Sequence, residues 1–348
     1  MIWVLRVLST IILLVTFIPK IPHQAWWVRI YDYPRLQKLG IVLTLVILWI
    51  VFDEESFNQE YFIWLLLLSG SSVFLLSKIL PFTQLGRKMI EDCEFSAESG
   101  IHLLIANVYQ YNSKFKKVLD LINKEDPDLI FMVETDEKWL EELSAIRSRY
   151  PYQILKPLDN TYGLLFFSKH EIKREEINYL IDKEIPSIEV DIALPSGQLI
   201  TLYGIHPTPP VPSENEKSTD RDAEILVVGK KAHANPKPCV VMGDLNDVAW
   251  SRTTELFLKI SGLMDPRRGR GFYNTFHAKF PLFRWPLDHV FLSEEFGLNE
   301  IKVLEEIGSD HLPISIKACI SNGTKTEKLD LDKEDKMEAK EKINKAKN

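Results

Sequence analysis

Cysteine is scarce in this 348-residue chain, which contains only Cys93, Cys239 and Cys319. An odd, widely spaced set of cysteines shows no disulfide framework, so three unpaired thiols are expected. The chain also lacks the cysteine and histidine spacing of a zinc site, which argues against zinc. It has no internal repeats, which argues against a repeat architecture.

Positive charge is not in excess either, because 42 lysines and arginines stand against 49 aspartates and glutamates, giving a formal net charge of −7. A protein that grips nucleic acid over a broad surface needs a basic face to neutralise the phosphates. The acidic balance therefore argues against a broad nucleic-acid footprint and leaves only a local basic patch open.

Apolar residues, in contrast, make up 45% of the chain and are concentrated near its beginning. The three longest early runs cover residues 2–19, 36–52 and 61–80. A helix that crosses a bilayer needs about 20 predominantly apolar residues, so the first and third runs qualify. The middle run is shorter, but Arg35 and Lys38 can extend toward head groups and let its helix begin earlier. The sequence thus predicts an anchor of two or three transmembrane helices within residues 1–82.

A cleaved signal peptide is the alternative interpretation of the first run. Arg6 alone gives a thin positive region, and no small-residue cleavage site follows before Pro19. The apolar runs that follow closely favour a multi-pass protein of a bacterial inner or plasma membrane.

The charges beside the spans indicate an orientation, because positive residues are retained on the cytoplasmic side. Basic residues follow the first and third runs: Lys20, Arg29, Arg35, Lys38, Lys78, Arg87 and Lys88. The second connection, DEESFNQE, is acidic. Three crossings with these charges place the large domain in the cytoplasm, whereas two crossings leave its side open.

Residues 100–320 alternate strand-like and helix-like runs, which is typical of an α/β domain. Several later strand candidates succeed one another without an intervening helix, and this implies antiparallel pairing and mixed sheets. Residues 83–99 show no clear period and are expected to form a linker. Residues 321–348 are dense in both charges and poor in aliphatic side chains, so a disordered or loosely helical charged tail is expected.

Polar side chains stand where the apolar strands end or begin. They are Asn107, Glu134, His206, Asp244, Asn246, Asp288, Asp310 and His311. Side chains at strand ends can point into one cleft while the strands hold them rigid. Carboxylates such as Glu134 and Asp310 suit Mg²⁺ or Mn²⁺, so the pattern indicates a hydrolytic metal site. Taken singly, each residue also has a structural explanation, such as a helix cap at Glu134.

Three segments occur in a fixed order, GDLND at 243–247, LDHVF at 287–291 and GSDHLP at 308–313. Together they resemble the endonuclease/exonuclease/phosphatase superfamily, whose members include deoxyribonucleases, inositol-phosphate phosphatases and sphingomyelinases. The resemblance covers residues 100–320. It implies two packed mixed β-sheets flanked by helices, a four-layer α/β sandwich, and a metal-dependent phosphoric ester hydrolase.

For the metal, the resemblance implies three residues. Asn107 in IANV resembles the family's first-strand asparagine, and Glu134 in FMVET resembles its metal-binding glutamate. Val133 stands where the family often has glutamine. Asp310 in GSDHLP resembles the aspartate near the metal, which would be Mg²⁺ or Mn²⁺.

The other motif residues resemble those that act on the phosphate and the attacking water. Asp244 resembles the residue that activates or orients the water, and Asn246 the residue that holds phosphate oxygens. His206 in YGIHPTPP and His311 resemble histidines that contact the scissile phosphate, and Asp288 resembles the carboxylate that orients His311. A metal and two imidazoles would neutralise the charge that develops as water attacks in line.

Two residues outside these motifs are candidates for substrate binding. Arg221 begins a predicted helix, where it either reaches substrate oxygens or lies on the surface. Trp285 belongs to a basic and aromatic neighbourhood with Arg267, Arg268, Arg270 and Tyr273. That neighbourhood either grips a phosphate or a lipid head group, or forms a solvated loop.

The anchor favours a lipid-linked phosphate as the substrate, because a tethered domain meets such molecules at high effective concentration. The three-span arrangement and the HPTPP and TFHAKFP segments also resemble bacterial membrane-bound members linked to lipid pyrophosphates and glycopeptide resistance. That resemblance implies a domain outside the cytoplasmic membrane, in conflict with the charges. A membrane-tethered nuclease acting on DNA or RNA is the alternative, and a pseudo-enzyme that binds a membrane partner is a third reading.

Overall fold

A computed structural model describes residues 2–52, 59–321 and 328–347. Within these ranges the helices are α1 (Ile2–Phe17), α2 (Trp26–Arg29), α3 (Arg35–Phe52), α4 (Gln59–Ile79), α5 (Phe115–Glu125), α6 (Glu137–Glu142), α7 (Thr219–Ala234), α8 (Arg252–Ser261) and α9 (Lys333–Lys347). The strands are β1 (Gly100–Asn107), β2 (Leu129–Val133), β3 (Tyr152–Lys156), β4 (Leu164–Ser168), β5 (Glu171–Asn178), β6 (Ser187–Ala193), β7 (Leu199–Gly204), β8 (Cys239–Asp244), β9 (Asp288–Leu292), β10 (Phe296–Val303) and β11 (Ile314–Ile320). Most of the acidic second connection lies outside the described residues.

Two mixed sheets form the centre of the domain. One has the strand order β10-β11-β1-β2-β4-β3 and the other β5-β6-β7-β8-β9. The pairs β1 with β2 and β7 with β8 are parallel, and the remaining neighbours are antiparallel. β1, β2, β4, β8 and β9 are buried along their whole length, which explains why their sequences are almost continuously apolar.

The central strands of each sheet are buried on both faces. Side chains such as Phe131, Phe166 and Met242 fill the core between the sheets. α5 and α6 cover the outer face of the first sheet, and α7, α8 and α9 cover that of the second. The result is four layers, helices, sheet, sheet and helices, and the predicted fold class is confirmed.

Three helices at the start of the chain are long and apolar enough to cross a membrane by length and composition. They span Ile2–Lys20, Arg35–Phe52 and Gln59–Phe82, with mean hydropathies of 2.2, 1.9 and 1.9. They pack around Val42, Leu68 and Leu75 and expose other apolar side chains outward. Trp49 donates its indole N–H to Ser9 Oγ at 3.0 Å, which satisfies both polar groups inside the bundle.

The connection between the first two spans lies against the domain. The Trp26 amide donates to the Glu216 carbonyl at 2.9 Å, and the Trp250 indole donates to the Asp32 carbonyl at 2.8 Å. The connection and the domain therefore share one side of the anchor, as three crossings require.

Cys93 and Cys319 form a disulfide bond, so the expectation of three unpaired thiols is wrong; Cys239 is free and buried. The bond ties the segment after the third span to β11. Residues 83–99 are also more than a linker, because Ile90 is fully buried in the core between the sheets. The sequence concealed the pair because its members stand 226 positions apart.

The tail that was expected to be disordered or loosely helical contains a packed helix, α9, which lies against α7 and α8. Ala339 and Ile343 are buried, and Asp335 accepts hydrogen bonds from Arg252 at 2.7 Å and Lys259 at 2.8 Å. Asp335, Ala339 and Ile343 recur every four residues and so lie on one helix face. The average composition of the segment hid this face. Residues 322–327 lie outside the described residues.

Candidate active site

The cleft forms where the carboxyl ends of two parallel strand pairs meet. In the first sheet Asn107 ends β1 and Glu134 follows β2, while in the second His206 follows β7 and Asp244 ends β8. Parallel neighbours bring their carboxyl ends to the same edge of a sheet. Four side chains from distant parts of the chain are thereby brought together.

The remaining motif residues reach this edge from the beginnings of antiparallel strands. Asp288 opens β9 and pairs directly with Asp244 across the β8–β9 ladder. β11 runs antiparallel to β1, so the turn before it carries Asp310 and His311 to the carboxyl end of β1. The structure thus gathers every motif residue that the sequence predicted for the site.

Two of these residues have a left-handed backbone, with φ of 57° at Glu134 and 51° at Asn246. Such conformations are uncommon outside glycine and cluster at functional sites. Gly243, with φ of 140°, is required before Asp244, because a Cβ there would lie 1.9 Å from the Ile205 carbonyl oxygen. That close approach lets β8 carry Asp244 to the end of β7.

An amide joins two carboxylates at the floor of the cleft. Asn107 Nδ2 donates to Glu134 Oε1 at 2.7 Å and to Asp244 Oδ2 at 3.0 Å. The backbone N–H of Asn246 donates to the other carboxylate oxygen of Asp244, Oδ1, at 2.9 Å, so the orientation of the Asp244 side chain is fixed. Burial raises the pKa of Glu134 to about 7, against the lowering effect of the Asn107 hydrogen bond. Burial likewise raises the pKa of Asp244.

His311 lies between two carboxylates. Its Nδ1 is 2.8 Å from Asp288 Oδ2 and its Nε2 is 3.4 Å from Asp244 Oδ2. Burial would lower the pKa of His311, but the charges of Asp288 and Asp244 outweigh it and raise the pKa to about 10. The ring is therefore an imidazolium at neutral pH.

These three residues also bring candidate metal-ligand atoms within 4.8 Å of one another. An imidazole binds a metal only through a deprotonated nitrogen, and both nitrogens of His311 face carboxylates. The trio is therefore suited to proton and charge control. On the other side of Asp244, no lysine, arginine or histidine nitrogen of the described residues comes within 4 Å of the Glu134 carboxylate, so a cation could bind there.

His206 has the opposite electrostatic character. Its Nε2 lies 3.9 Å from Asp244 Oδ2, and burial lowers its pKa to about 4, so its ring is neutral at neutral pH. Its Nδ1 is buried without a hydrogen-bond partner among the described residues. The site thus holds one neutral and one cationic imidazole.

A cavity of about 890 Å³ opens above these residues. The candidate site residues that line it are Glu134, His206, Asp244, Asn246, Asp310, His311 and Trp285. Other walls come from Trp26, Trp27 and Ile30 of the first connection, together with Phe276 and Phe283. The cavity is polar where the motif residues lie and aromatic toward the anchor.

Arg221 does not reach this cavity, which corrects its expected role in substrate binding. It is 2% exposed, and its guanidinium donates to Asp222 Oδ1 at 2.7 Å and to the Asn246 carbonyl at 2.7 Å. It also lies 3.5 Å from Asp247 Oδ1. A buried guanidinium between buried carboxylates is held by them, so Arg221 supports the turn that carries Asn246.

The basic neighbourhood before Asp288 is likewise internal. Arg267 is 1% exposed and binds Asp265 at 2.7 Å and His289 at 2.7 Å. His289 faces away from the cleft, as expected for the neighbour of an inward-facing strand residue. Of this neighbourhood, Trp285 is the residue that lines the cavity.

Sequence reasoning missed Tyr33. Its hydroxyl donates to the Asn246 carbonyl at 3.1 Å, the same oxygen that Arg221 binds. Burial raises the pKa of Tyr33 well above its usual range, which keeps the hydroxyl protonated as a donor. No local pattern reveals a contact between residues 213 positions apart.

A model described as the Endonuclease/Exonuclease/phosphatase family matches residues 104–311, a range that contains every motif residue of the cleft. None of the curated proteins compared with the chain matches it.

Solved structures share the fold at low sequence identity. TDP2 from D. rerio, complexed with single-strand DNA product, is 17% identical, with a TM-score of 0.53, over 63% of this chain and 99% of that one. An endonuclease/exonuclease/phosphatase from Beutenbergia cavernae is 16% identical, with a TM-score of 0.53, over 66% and 74%. A mannosyl-6-phosphatase from Bacteroides thetaiotaomicron is 15% identical, with a TM-score of 0.51, over 63% and 100%.

The role of Arg221 can be tested by stability. Arg221→Met leaves Asp222 and Asp247 with less compensation in the interior, so it should lower the free energy of unfolding by about 3–5 kcal/mol. Thermal melting of the purified full chain measures this. Arg149→Met, which removes a partly exposed guanidinium, is the control and should change the melting temperature little. Unchanged stability together with a raised KM in Arg221→Met would instead assign Arg221 to substrate.

Proposed function

The chain belongs to the Endonuclease/Exonuclease/phosphatase family, and from this premise we propose that it is a membrane-anchored phosphoesterase for a lipid-linked substrate. Members of the family hydrolyse phosphoester bonds, typically with a divalent metal, and the chain is a hydrolase of this class. The bond that we propose is a phosphodiester or a pyrophosphate. The lining of the cavity supports the lipid-linked substrate, and the carboxylates of the cleft support the metal. The hydrogen bonds among the cleft residues support their roles.

The proposal rests on the residues that line the cavity, which are polar at one end and apolar at the other. Its polar end is the cleft, and its apolar walls include Trp26, Trp27 and Ile30, which belong to the connection between two predicted spans. A substrate with a charged phosphate and an apolar chain matches both ends, because the aromatic surface offers apolar area beside the membrane. A soluble sugar phosphate would leave that surface unused.

The donor set of the cleft fits a hard divalent cation, for which we propose Mg²⁺ or Mn²⁺. Glu134 and Asp310 offer carboxylate oxygens and Asn107 an amide, and a carboxylate removed from water is costly without a compensating charge. When bound, such an ion stabilises the negative charge that develops on the phosphoryl group.

The protein's own groups divide the remaining work. The side chain of Asn107 and the backbone N–H of Asn246 orient Asp244 to accept a proton from the attacking water. Burial raises the pKa of Asp244, which makes it a better base. The His311 imidazolium, held by Asp288, donates to a phosphoryl oxygen. His206, neutral and buried, adds a second donor through one ring nitrogen.

We place the domain outside the cytoplasmic membrane. The Cys93–Cys319 disulfide supports this side, because disulfides persist in oxidising compartments. Several of the basic residues that favoured the cytoplasm, though not Lys20, carry ion pairs, with Arg35 bound to Asp32 at 2.6 Å and Lys78 to Glu255 at 2.6 Å. Their charges are therefore partly neutralised in the folded protein.

Activity on lipid-linked phosphates tests the function. The full chain in detergent, supplied with Mg²⁺, should hydrolyse a member of a panel of phospholipids and polyprenyl pyrophosphates, and chelation should stop the reaction. Asp244→Ala should lower kcat by roughly 10²–10⁴-fold because it removes the proton acceptor. Asp182→Ala, on the surface, is the matched control. Nicking of plasmid DNA that vanishes in Asp244→Ala, without lipid hydrolysis, would make the enzyme a nuclease, and no metal-dependent turnover would make it a pseudo-enzyme.

The aromatic wall predicts a specific kinetic defect. Trp27→Ala should raise the KM for the lipid-linked substrate by roughly tenfold, since an aromatic side chain contributes on the order of 1–2 kcal/mol to such a contact. It should leave the turnover of bis(p-nitrophenyl) phosphate, which lacks an apolar chain, unchanged. Trp3→Ala, an exposed tryptophan of the first span, is the control. Equal loss on both substrates would show that Trp27 does not contact a chain.

The side of the membrane predicts the redox state of the cysteines. Cells lysed into an alkylating reagent without reductant should yield Cys93 and Cys319 as a disulfide-linked peptide pair by mass spectrometry. Cys239, free in the same molecule, is the internal control and should be recovered alkylated after denaturation. Protease added to right-side-out cells should cleave the domain. Three alkylated thiols and a protected domain would place it in the cytoplasm.

A further inference from the structure

A second cavity, separate from the cleft, lies where the anchor meets the domain. Its volume is about 300 Å³. Lys20 ends the first predicted span, Arg35 begins the second and Lys78 lies near the end of the third, and all three line the cavity. Residues of α8 and α9 close it on the domain side. In a membrane-anchored protein this is the depth of the lipid head groups.

Most basic side chains of this cavity are already paired with carboxylates. Seven basic and four acidic side chains line it, and two of the basic ones, Arg252 and Lys342, are paired with Asp335 and Asp222 outside the lining. Lys78 is paired with Glu255 at 2.6 Å. The Lys20 ammonium lies 5.0 Å from the centroid of the Phe74 ring and has no carboxylate within 4 Å in the described part of the chain. Lys20 is therefore available to an anion.

Arg35 supplies an independent sign that a ligand is missing. It is 6% exposed, and its Nη2 donates to Asp32 Oδ1 at 2.6 Å, but its Nη1 is buried without a hydrogen-bond partner among the described residues. Arg29 also lines the cavity, and its buried Nε likewise has no hydrogen-bond partner among the described residues. A buried charged donor without an acceptor costs more than an ordinary unmade hydrogen bond. Both residues line the cavity, so an anion bound there would offer an acceptor to these donors.

We propose that this cavity binds a phosphate group, contacted by Arg35, Arg29 and Lys20. Guanidinium groups match the oxygens of a phosphate with paired N–H donors, and an ammonium adds a point charge. Basic pockets between transmembrane helices at the membrane surface suit the head group of an anionic phospholipid, and free inorganic phosphate offers the same chemistry. This inference rests on the anchor of the proposed function and not on its catalytic cleft.

Binding to the full chain tests the inference without reference to turnover. Protein in phosphatidylcholine nanodiscs with chelator receives increasing mole fractions of phosphatidylglycerol, or inorganic phosphate in the buffer, and thermal melting reports the bound state. We expect a saturable rise in melting temperature. Lys20→Gln should weaken the apparent affinity at least about tenfold, since a charge-assisted hydrogen bond contributes about 1.5–3 kcal/mol.

Arg6→Gln is the matched control, because it removes one positive charge from the opposite end of the same helix. Arg35→Gln should abolish the rise, and Lys20→Gln keeps the test decisive if that variant fails to fold. A rise with phosphatidylglycerol alone identifies the lipid head group, and a rise with inorganic phosphate identifies the free anion. No rise with either, or an equal loss in Arg6→Gln, overturns the proposal.

Discussion

Asp244 and Asp288 are each 1% exposed and adjacent in a sheet, and Glu134 lies a single amide away from Asp244. Carboxylates this close repel one another and lose their hydration. The structure offsets that cost with the Asn107 amide and the His311 imidazolium. Much of the domain's topology follows from bringing these groups to one sheet edge and holding them there.

The turn that carries Asn246 shows how far that support extends. Its carbonyl accepts from Arg221 on the domain side and from Tyr33 on the anchor side. Arg221 is held in turn by Asp222, and Asp222 by Lys342 of α9 at 2.7 Å. Hydrogen bonds thus link the Asn246 carbonyl to the segment between α1 and α3 and, through Arg221 and Asp222, to α9. The N-terminal helices, the domain and the C-terminal helix are therefore joined by one continuous chain of hydrogen bonds.

The parts that sequence reasoning anticipated are local or carried by motifs. The residues at strand ends stand in short segments, such as GDLND, whose spacing survives without knowledge of the fold, and the family match covers them all. The alternation of strands and helices likewise follows from nearby residues. The three spans are visible from composition, because a bilayer imposes a length on each of them.

What the sequence concealed depends on contacts across long separations. Arg221 looked available for substrate because its acidic neighbours do not reveal that the helix faces inward. Cys93 and Cys319 meet only because β11 returns to the segment after the third span. α9 looked disordered because its few apolar residues matter only against α7 and α8. In each case the deciding energy comes from burial, which composition does not report.

The buried Ile90 has a practical consequence for anyone who would prepare this enzyme without its three apolar N-terminal helices. A truncation that begins at Gly100 would remove Ile90 from the core between the sheets and would break the disulfide by deleting Cys93. A cut after the third apolar helix would spare both but would remove Tyr33, Trp26 and Trp27 from the cavity wall. Such a fragment would keep the residues of the cleft but lose part of the cavity wall. The substrate selectivity measured on it would therefore differ from that of the full chain.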